Sequence, residues 1–207
     1  NVLVGDGAGD ALTTGSRNVA IGHETLSSED ETGYAVAIGY QALRAQNAGG
    51  NTYNVAIGYN AGESVTTSIK NVIIGGLAGD ALTTGSKNTV VGYEALSTED
   101  TRGTSTAIGH RTLKNQNALS DPYNVAVGHD AGLSVSTGIQ NTIIGGLAGD
   151  ALTTGGGNVA VGYQALSAED ANGTNVAIGF QSLLAQNAGT NAYSVAVGYL
   201  AGSSIST

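Results

Sequence analysis

The stretch "NVAIGYNAG", residues 54–62, places a short run of strand-forming residues directly before a glycine. Val and Ile at alternate positions favour a β-strand, while the flanking Asn and Gly are typical of turns. Such a strand is too short to be stable alone. The chain contains twelve versions of this phrase, which indicates that repetition supplies the missing stability.

The twelve phrases are regularly spaced. We call each phrase, with the residues up to the next one, a rung. The strand glycines of the first five rungs are Gly5, Gly22, Gly39, Gly58 and Gly75. The third interval is slightly longer than the others, and the same set of four intervals then starts again. Four rungs therefore make one super-repeat, and "AGDALTTG" accordingly begins at Ala8, Ala78 and Ala148. The pattern predicts three super-repeats at residues 1–70, 71–140 and 141–207.

Stacked rungs of this kind predict an all-β fold, a parallel β-solenoid or β-roll. Its twelve rungs of 17–19 residues form a single repeat array over residues 1–207. Each strand then pairs with its copies at about 4.8 Å above and below. The last super-repeat is slightly short and no polar capping repeat is evident, so we expect a fragment of a longer fibre protein.

One large aliphatic residue per rung is predicted to fill the interior. It stands either at the fourth position after the strand glycine or, where that position is Gly, at the seventh. A rung without it would leave a cavity between its neighbours. The first group is Leu26, Leu43, Leu96, Leu113, Leu166 and Leu183, and the second is Leu12, Val65, Leu82, Val135, Leu152 and Ile205.

The two faces of the strand suggest a trimer. We expect Val and Ile to line the interior and the small central residues to meet other chains. These central residues include Ala37, Ala56, Ala107 and Ala126. Where the centre is large, at Leu3, Ile73 and Ile143, the aromatic residue after the glycine is missing, although one rung has Val90 together with Tyr93. This correlation also suggests that an aromatic ring covers the central Ala within one chain.

Composition excludes several classes of function. The formal net charge is −9 with only seven Lys and Arg, which argues against nucleic acid as a partner. No apolar run approaches the roughly 20 residues that span a bilayer, so membrane insertion is not expected. The chain has no cysteine and so no disulfide framework.

The rungs "YAVAIGYQAL", "NVAVGYQAL" and "NVAIGFQSL" resemble the repeats of phage tail-fibre and related virion adhesin proteins. The "SVAVG" and "NVAIG" cores are similar to the head repeats of YadA-type trimeric autotransporter adhesins. This resemblance implies a left-handed β-roll wound as a homotrimer on an extracellular fibre of a virion or cell surface. The rungs of this chain are longer than those usual in autotransporter heads.

The residues directly after the strand glycines form what we call the aromatic file. It contains His23, Tyr40, Tyr59, Tyr93, His110, His129, Tyr163, Phe180 and Tyr199. Tyr40, Tyr59, Tyr93, Tyr163, Phe180 and Tyr199 are candidate glycan-binding residues, because aromatic rings stack on sugar rings. The favoured alternative is that these rings are lids over the edge of the roll, with the hydroxyl groups in water.

Other polar groups predict no catalytic residue, cofactor or metal. The histidines His23, His110 and His129 share the aromatic slot and have no second ligand at a fixed offset, so each is interpreted as a substitute for Tyr, with a three-fold metal site as a minor alternative. The acidic clusters at residues 29–31, 99–100 and 169–170 are interpreted as solvated loop charge, with calcium as a minor alternative. These clusters recur once in every super-repeat, whereas enzyme active sites are singular, so the chain is not expected to be an enzyme.

Two further patterns are interpreted as structural. The Asn that precedes most strands, as at Asn54 and Asn71, is predicted to form a hydrogen-bonded ladder from rung to rung. The longer connecting segments at residues 45–53, 115–123 and 185–193 are predicted to bulge outward. "TTG" recurs at 13, 83 and 153, too seldom for more than a minor ice-binding alternative.

Together these observations predict a non-catalytic shaft or adhesive segment of an extracellular fibre that self-associates as a homotrimer. Two alternatives remain open. One is the subunit of a self-assembling extracellular filament, and the other is a module that binds a host-surface glycan through the aromatic file.

Overall fold

The computed structural model describes residues 1–31 and 33–206. Within them, short strands follow one another at the spacing of the sequence phrase. Their bounds are Val2–Val4 (β1), Val19–Ile21 (β2), Val36–Ile38 (β3), Val55–Ile57 (β4), Val72–Ile74 (β5), Thr89–Val91 (β6), Thr106–Ile108 (β7), Val125–Val127 (β8), Thr142–Ile144 (β9), Val159–Val161 (β10), Val176–Ile178 (β11) and Val195–Val197 (β12).

All twelve strands form one parallel sheet whose order is the order of the chain, β1 to β12. The register keeps equivalent residues side by side, so that Val55 lies opposite Val72 and Ala56 opposite Ile73. The chain is therefore a β-solenoid of about 11 turns, and the predicted all-β parallel solenoid is confirmed. No helix in the described residues has the length and hydropathy needed to cross a bilayer.

The central residue of each strand points into the solenoid, and the two outer residues point away from it. From β2 to β11 every central residue is fully buried, whereas the first and third residues are partly or largely exposed in all strands. The prediction that Val and Ile line the interior and Ala faces another chain is therefore wrong. The interior already holds one large aliphatic residue per rung, so it accepts a small residue from the strand.

The large aliphatic residues occupy the interior as predicted. Leu or Val from the turn is buried in ten rungs, and only Leu12 and Ile205, in the first and last rungs, are partly exposed. A buried side chain in the middle rungs contacts a rung on each side. Leu12 and Ile205 have a neighbouring rung on one side only, which explains their exposure.

Central Ile residues compensate for interior glycines and not for missing aromatic rings. A Cβ built on Gly62 would lie 2.9 Å from Cδ1 of Ile73, and one on Gly132 would lie 3.0 Å from Cδ1 of Ile143. The rings of the aromatic file lie outside, with Tyr59 56% exposed. The prediction that a ring covers Ala56 is therefore wrong. The volume exchange takes place inside the solenoid.

The strand glycine is required by the stacking itself. Gly75 has φ +134°, and a Cβ there would lie 2.4 Å from the carbonyl oxygen of Gly92 in the next rung. Residues with a Cβ rarely adopt this backbone conformation. The chain leaves the strand at this point and turns, which explains why each strand stops after three residues.

Asn residues join the rungs at the start of each strand, at the end opposite the strand glycine. The Asn54 Oδ1 atom accepts a hydrogen bond of 2.9 Å from the backbone N–H of Asn71, whose own Oδ1 accepts one of 2.8 Å from Asn88. The Asn54 Nδ2 atom donates to the Ser68 carbonyl oxygen at 2.8 Å and so closes its own rung. The predicted Asn ladder is confirmed, although it pairs side chains with backbone groups and not amide with amide.

The long connecting segments bulge outward only at their tips. A Cβ at Gly49 or Gly50 would meet nothing within 4 Å, whereas Gln46 and Thr52 on either side are fully buried. The Gln46 Nε2 atom donates to the Glu29 carboxylate at 3.0 Å. The extra residues thus extend into solvent while their flanks belong to the interior.

Candidate functional surface

The aromatic file forms three stacks of three rings on the outside of the solenoid. Neighbouring rings have centroids 5.0–5.7 Å apart, and their planes differ by 8–20°. The strand register positions them, because each ring follows the glycine that ends a strand. The stacks are His23, Tyr40 and Tyr59; Tyr93, His110 and His129; and Tyr163, Phe180 and Tyr199.

The candidate glycan-binding residues all lie on this surface. Tyr40, Tyr59, Tyr93, Tyr163, Phe180 and Tyr199 are each exposed, and each stacks on at least one ring of the file. Stacking covers ring faces and leaves ring edges in solvent. A sugar that stacks on an aromatic ring needs a face, so most of the file offers it none.

Free faces occur where glycine interrupts the file, at Gly76 and Gly146. A Cβ at Gly76 would lie 3.5 Å from Cδ2 of Tyr93, which is an ordinary contact. Tyr59 and Tyr93 flank this position from the rungs on either side, about 10 Å apart by rung spacing. His129 and Tyr163 flank Gly146 in the same way. Each gap thus corresponds to one missing ring.

A cluster of charged groups lies beside the second stack, around the carboxylate of Asp130. The Arg111 Nε atom donates to Oδ1 at 2.9 Å, and its Nη2 atom donates to Oδ2 at 2.5 Å. The Nδ1 atom of His110 lies 3.7 Å from Oδ1, and that of His129 lies 3.4 Å from Oδ2. The Asp130 side chain is only 6% exposed.

The guanidinium group dominates the electrostatics of this cluster. The hydrogen bonds that Arg111 donates lower the pKa of the Asp130 carboxyl below its usual range, although burial acts in the opposite direction. The same pair raises the pKa of Arg111. Asp130 is therefore an ionised, nearly buried carboxylate at neutral pH, with two imidazole groups beside it.

One glutamate in each acidic cluster of the loops differs from its predicted role. Glu29, Glu99 and Glu169 are fully buried, so the interpretation as solvated loop charge is wrong for them. The Glu99 carboxylate accepts hydrogen bonds of 3.1 Å from Gln116 Nε2 and from the backbone N–H groups of Ala118 and Arg102. The bonds from Gln116 and Ala118 give Glu99 a structural role, in which it fixes its loop to the next rung.

A second candidate surface is the outward face of the sheet. Its two files are the first and the third strand residues, and no member of either file in the described strands is buried. Val, Ile and Thr occupy all of these positions. This outer face is apolar and continuous from β1 to β12, so it is a candidate for self-association.

Sequence reasoning missed Asp130 and Arg111. They occupy neighbouring rungs that are joined by one of the longer intervals, so the regular shorter spacing hides their relation. A signal was present nonetheless. The equivalent positions of the first super-repeat hold Asn60 and Gln41, so this pair of charges is confined to the middle of the chain.

The sequence matches no protein-family model and no curated protein, and the fold matches no solved structure.

Proposed function

We propose that this chain is a non-catalytic structural segment of an extracellular fibre, assembled as a homotrimer through the outer face of its sheet. The observation that carries the proposal is that face, which presents two unbroken files of Val, Ile and Thr along all twelve strands. The resemblance of the rungs to virion and autotransporter adhesins supports the position outside the cell.

The size of the outer face supports self-association. Eleven rung spacings of about 4.8 Å give the outer face a length of roughly 53 Å. The three residues of each strand give it a width of about 10 Å. The resulting area of roughly 500 Å² is at the upper end of apolar patches on monomeric proteins. Identical flat faces on three chains can meet around a common axis, and the parallel register keeps the rungs level.

The mass of the particle in solution tests the trimer. Multi-angle light scattering should give three times the chain mass of 20.4 kDa for the parent. Ile57→Lys places a charge on the outer face, and we expect it to lower the mass because an unpaired charge in an interface is costly. Thr84→Lys, at an exposed position outside the sheet, is the matched control and should leave the mass unchanged.

A parent of 20.4 kDa that is fully folded would contradict the trimer, and the solenoid would remain. A mass that grows with concentration beyond three chains would instead favour the filament alternative. In that case the exposed strands β1 and β12 are the surfaces to test, since their outer edges carry unpaired backbone groups.

Glycan binding is the second candidate, and the gaps at Gly76 and Gly146 are the observation that favours it. A pyranose ring in the first gap would have an aromatic face on both sides. Gly76→Tyr fills the gap without steric conflict, because nothing lies closer than 3.5 Å to a Cβ there. Binding of a panel of neutral oligosaccharides, followed by saturation-transfer NMR, should weaken in this variant and persist in Gly50→Ala.

A further inference from the structure

The repeats provide an internal comparison that singles out one cluster. His110, Arg111, His129 and Asp130 correspond to Tyr40, Gln41, Tyr59 and Asn60 in the first super-repeat, and to Phe180, Gln181, Tyr199 and Leu200 in the third. The solenoid has the same strand lengths and register at all three places. Folding therefore does not require these four residues of the second super-repeat, which we call the middle set. The middle set differs from the first and the third super-repeat at all four positions.

The middle set brings three possible metal ligands together. One ligand atom from each of His110, His129 and Asp130 lies within 4.8 Å of the other two. Among the described residues this is the one group of three or more such side chains. The rings of His110 and His129 stack with centroids 5.0 Å apart and with both Nδ1 atoms beside the carboxylate.

We propose that the Nδ1 atoms of His110 and His129 and the carboxylate of Asp130 bind a divalent late first-row transition metal ion such as Zn²⁺ or Cu²⁺. Imidazole nitrogen with one carboxylate is a ligand set that these ions accept. Three protein ligands leave a further position open for water or for a group from another molecule.

Arg111 has the role of a supporting residue in this site. Its two hydrogen bonds fix the plane of the Asp130 carboxylate and use one lone pair on each oxygen. The other lone pair on each carboxylate oxygen remains available to a metal ion beside the two imidazole rings. Hydrogen bonds to a ligating carboxylate commonly orient it for the metal.

Binding requires a small movement of the two rings. Metal–nitrogen bonds are about 2.0–2.1 Å long, so ligand atoms up to 4.8 Å apart must converge. The His110 and His129 side chains are 45% and 62% exposed, which leaves room for them to rotate. Asp130 is held in place, so the rings turn toward a fixed carboxylate.

Titration of untagged parent protein with ZnCl₂ in a calorimeter tests the proposal, and a saturable site with one Zn²⁺ per chain is expected. His110→Tyr with His129→Tyr, and separately Asp130→Asn, install the residues that Tyr40, Tyr59 and Asn60 represent in the first super-repeat. We therefore expect both variants to fold, as circular dichroism will show, and to lose at least about tenfold in affinity.

His23→Tyr is the matched control. His23 lies 3.6 Å from Asp6 but has no third ligand in the described residues, so its loss should leave Zn²⁺ affinity unchanged. With Cu²⁺, the paramagnetic resonance spectrum of the parent should show nitrogen couplings that disappear in the double His variant. The proposal is overturned if the parent shows no saturable binding, or if the double variant binds like the parent.

Discussion

At the scale of single residues, glycine and backbone carbonyl groups define the rung. Eleven of the twelve strand glycines face the carbonyl oxygen of the next strand glycine, at distances of 2.1–2.6 Å from a Cβ built on them. Backbone atoms cannot move aside as the end of a side chain can. The glycine is thus a steric requirement of the stack, separate from its role in the turn.

Gly75→Ala is expected to destabilise the fold by at least about 3 kcal/mol, since it combines strain at positive φ with a clash against the backbone. Gly50→Ala adds the same methyl group where nothing lies within 4 Å, and should change stability by less than about 0.5 kcal/mol. Urea denaturation of both variants measures the difference. Equal stabilities would show that neighbouring rungs do not stack this closely.

Asp80 predicts a pH-dependent effect. Burial, followed by the charges of Glu63 and Glu94, raises the pKa of its carboxyl, and in the described structure its Oδ1 atom has no hydrogen-bond partner. A raised pKa means that the folded state binds the proton more tightly than the unfolded state. Ionisation of Asp80 therefore costs stability, and this cost appears as pH rises through the folded-state pKa.

Asp80→Asn removes that cost and should raise the melting temperature by about 1–3 °C at pH 7. The gain should disappear at pH 3, where the parent carboxyl is protonated in both states. Asp10→Asn, at the equivalent but exposed position, is the control and should have no effect at either pH. An equal gain at both pH values would exclude the ionisation of Asp80 as its cause.

At the scale of the strand, the direction of each side chain follows from interior volume. A strand of three residues places one side chain on one face and two on the other. Alternation alone does not say which face is inside. Leu and Val from the turns already fill most of the interior, so the face with the single small residue is turned inward.

Two substitutions that introduce the same residue test this direction. Ala56→Thr adds volume and a hydroxyl group to the filled interior and should cost about 1–3 kcal/mol. Val55→Thr changes the outer face, where Thr89, Thr106 and Thr142 already stand, and should cost less than about 0.5 kcal/mol. Thermal denaturation ranks the two variants, and the opposite ranking would mean that Val lines the interior.

The sequence was sufficient to predict the stacking of the strands, but not the direction of their side chains or the candidate site. Spacing of the strand phrase predicted the parallel stack, because each three-residue strand can be stabilised only by its copies. The aliphatic residue of each rung was also predicted, since a missing one would leave a cavity. The inward direction of Ala56 depends on the volume that Leu and Val side chains of the turns already occupy. The cluster at Asp130 depends on contacts between rungs of unequal length.

The long segments give a further prediction at this scale. Their tips extend into solvent, so deletion of Gly49 and Gly50 should shorten the bulge and leave the rungs stacked. The deletion of Gln46 should instead destabilise the fold, because its Oε1 atom accepts a hydrogen bond of 2.8 Å from Asn54 within the interior. Circular dichroism and thermal denaturation distinguish these outcomes.

At the scale of the whole molecule, all rungs belong to one continuous sheet from β1 to β12. Each rung contacts only its neighbours, so stability is a sum of rung terms and interface terms. The interfaces repeat the same strand pairing and the same glycine contact. In strand pairing and glycine contact, no interface between rungs in the described residues is weaker than the others. Unfolding of a middle rung would expose two interfaces at once.

We therefore expect one cooperative thermal transition, with local opening confined to the terminal rungs. An end rung has one interface to lose, whereas the opening of a middle rung breaks two, so the amides of β6 and β7 should exchange with solvent only through global unfolding. Those of β1 and β12 should exchange faster, by fraying. Hydrogen exchange followed by mass spectrometry measures both rates on the same sample. Two or more separate transitions, or equal protection of β1 and β6, would show that the rungs are not coupled through their interfaces alone.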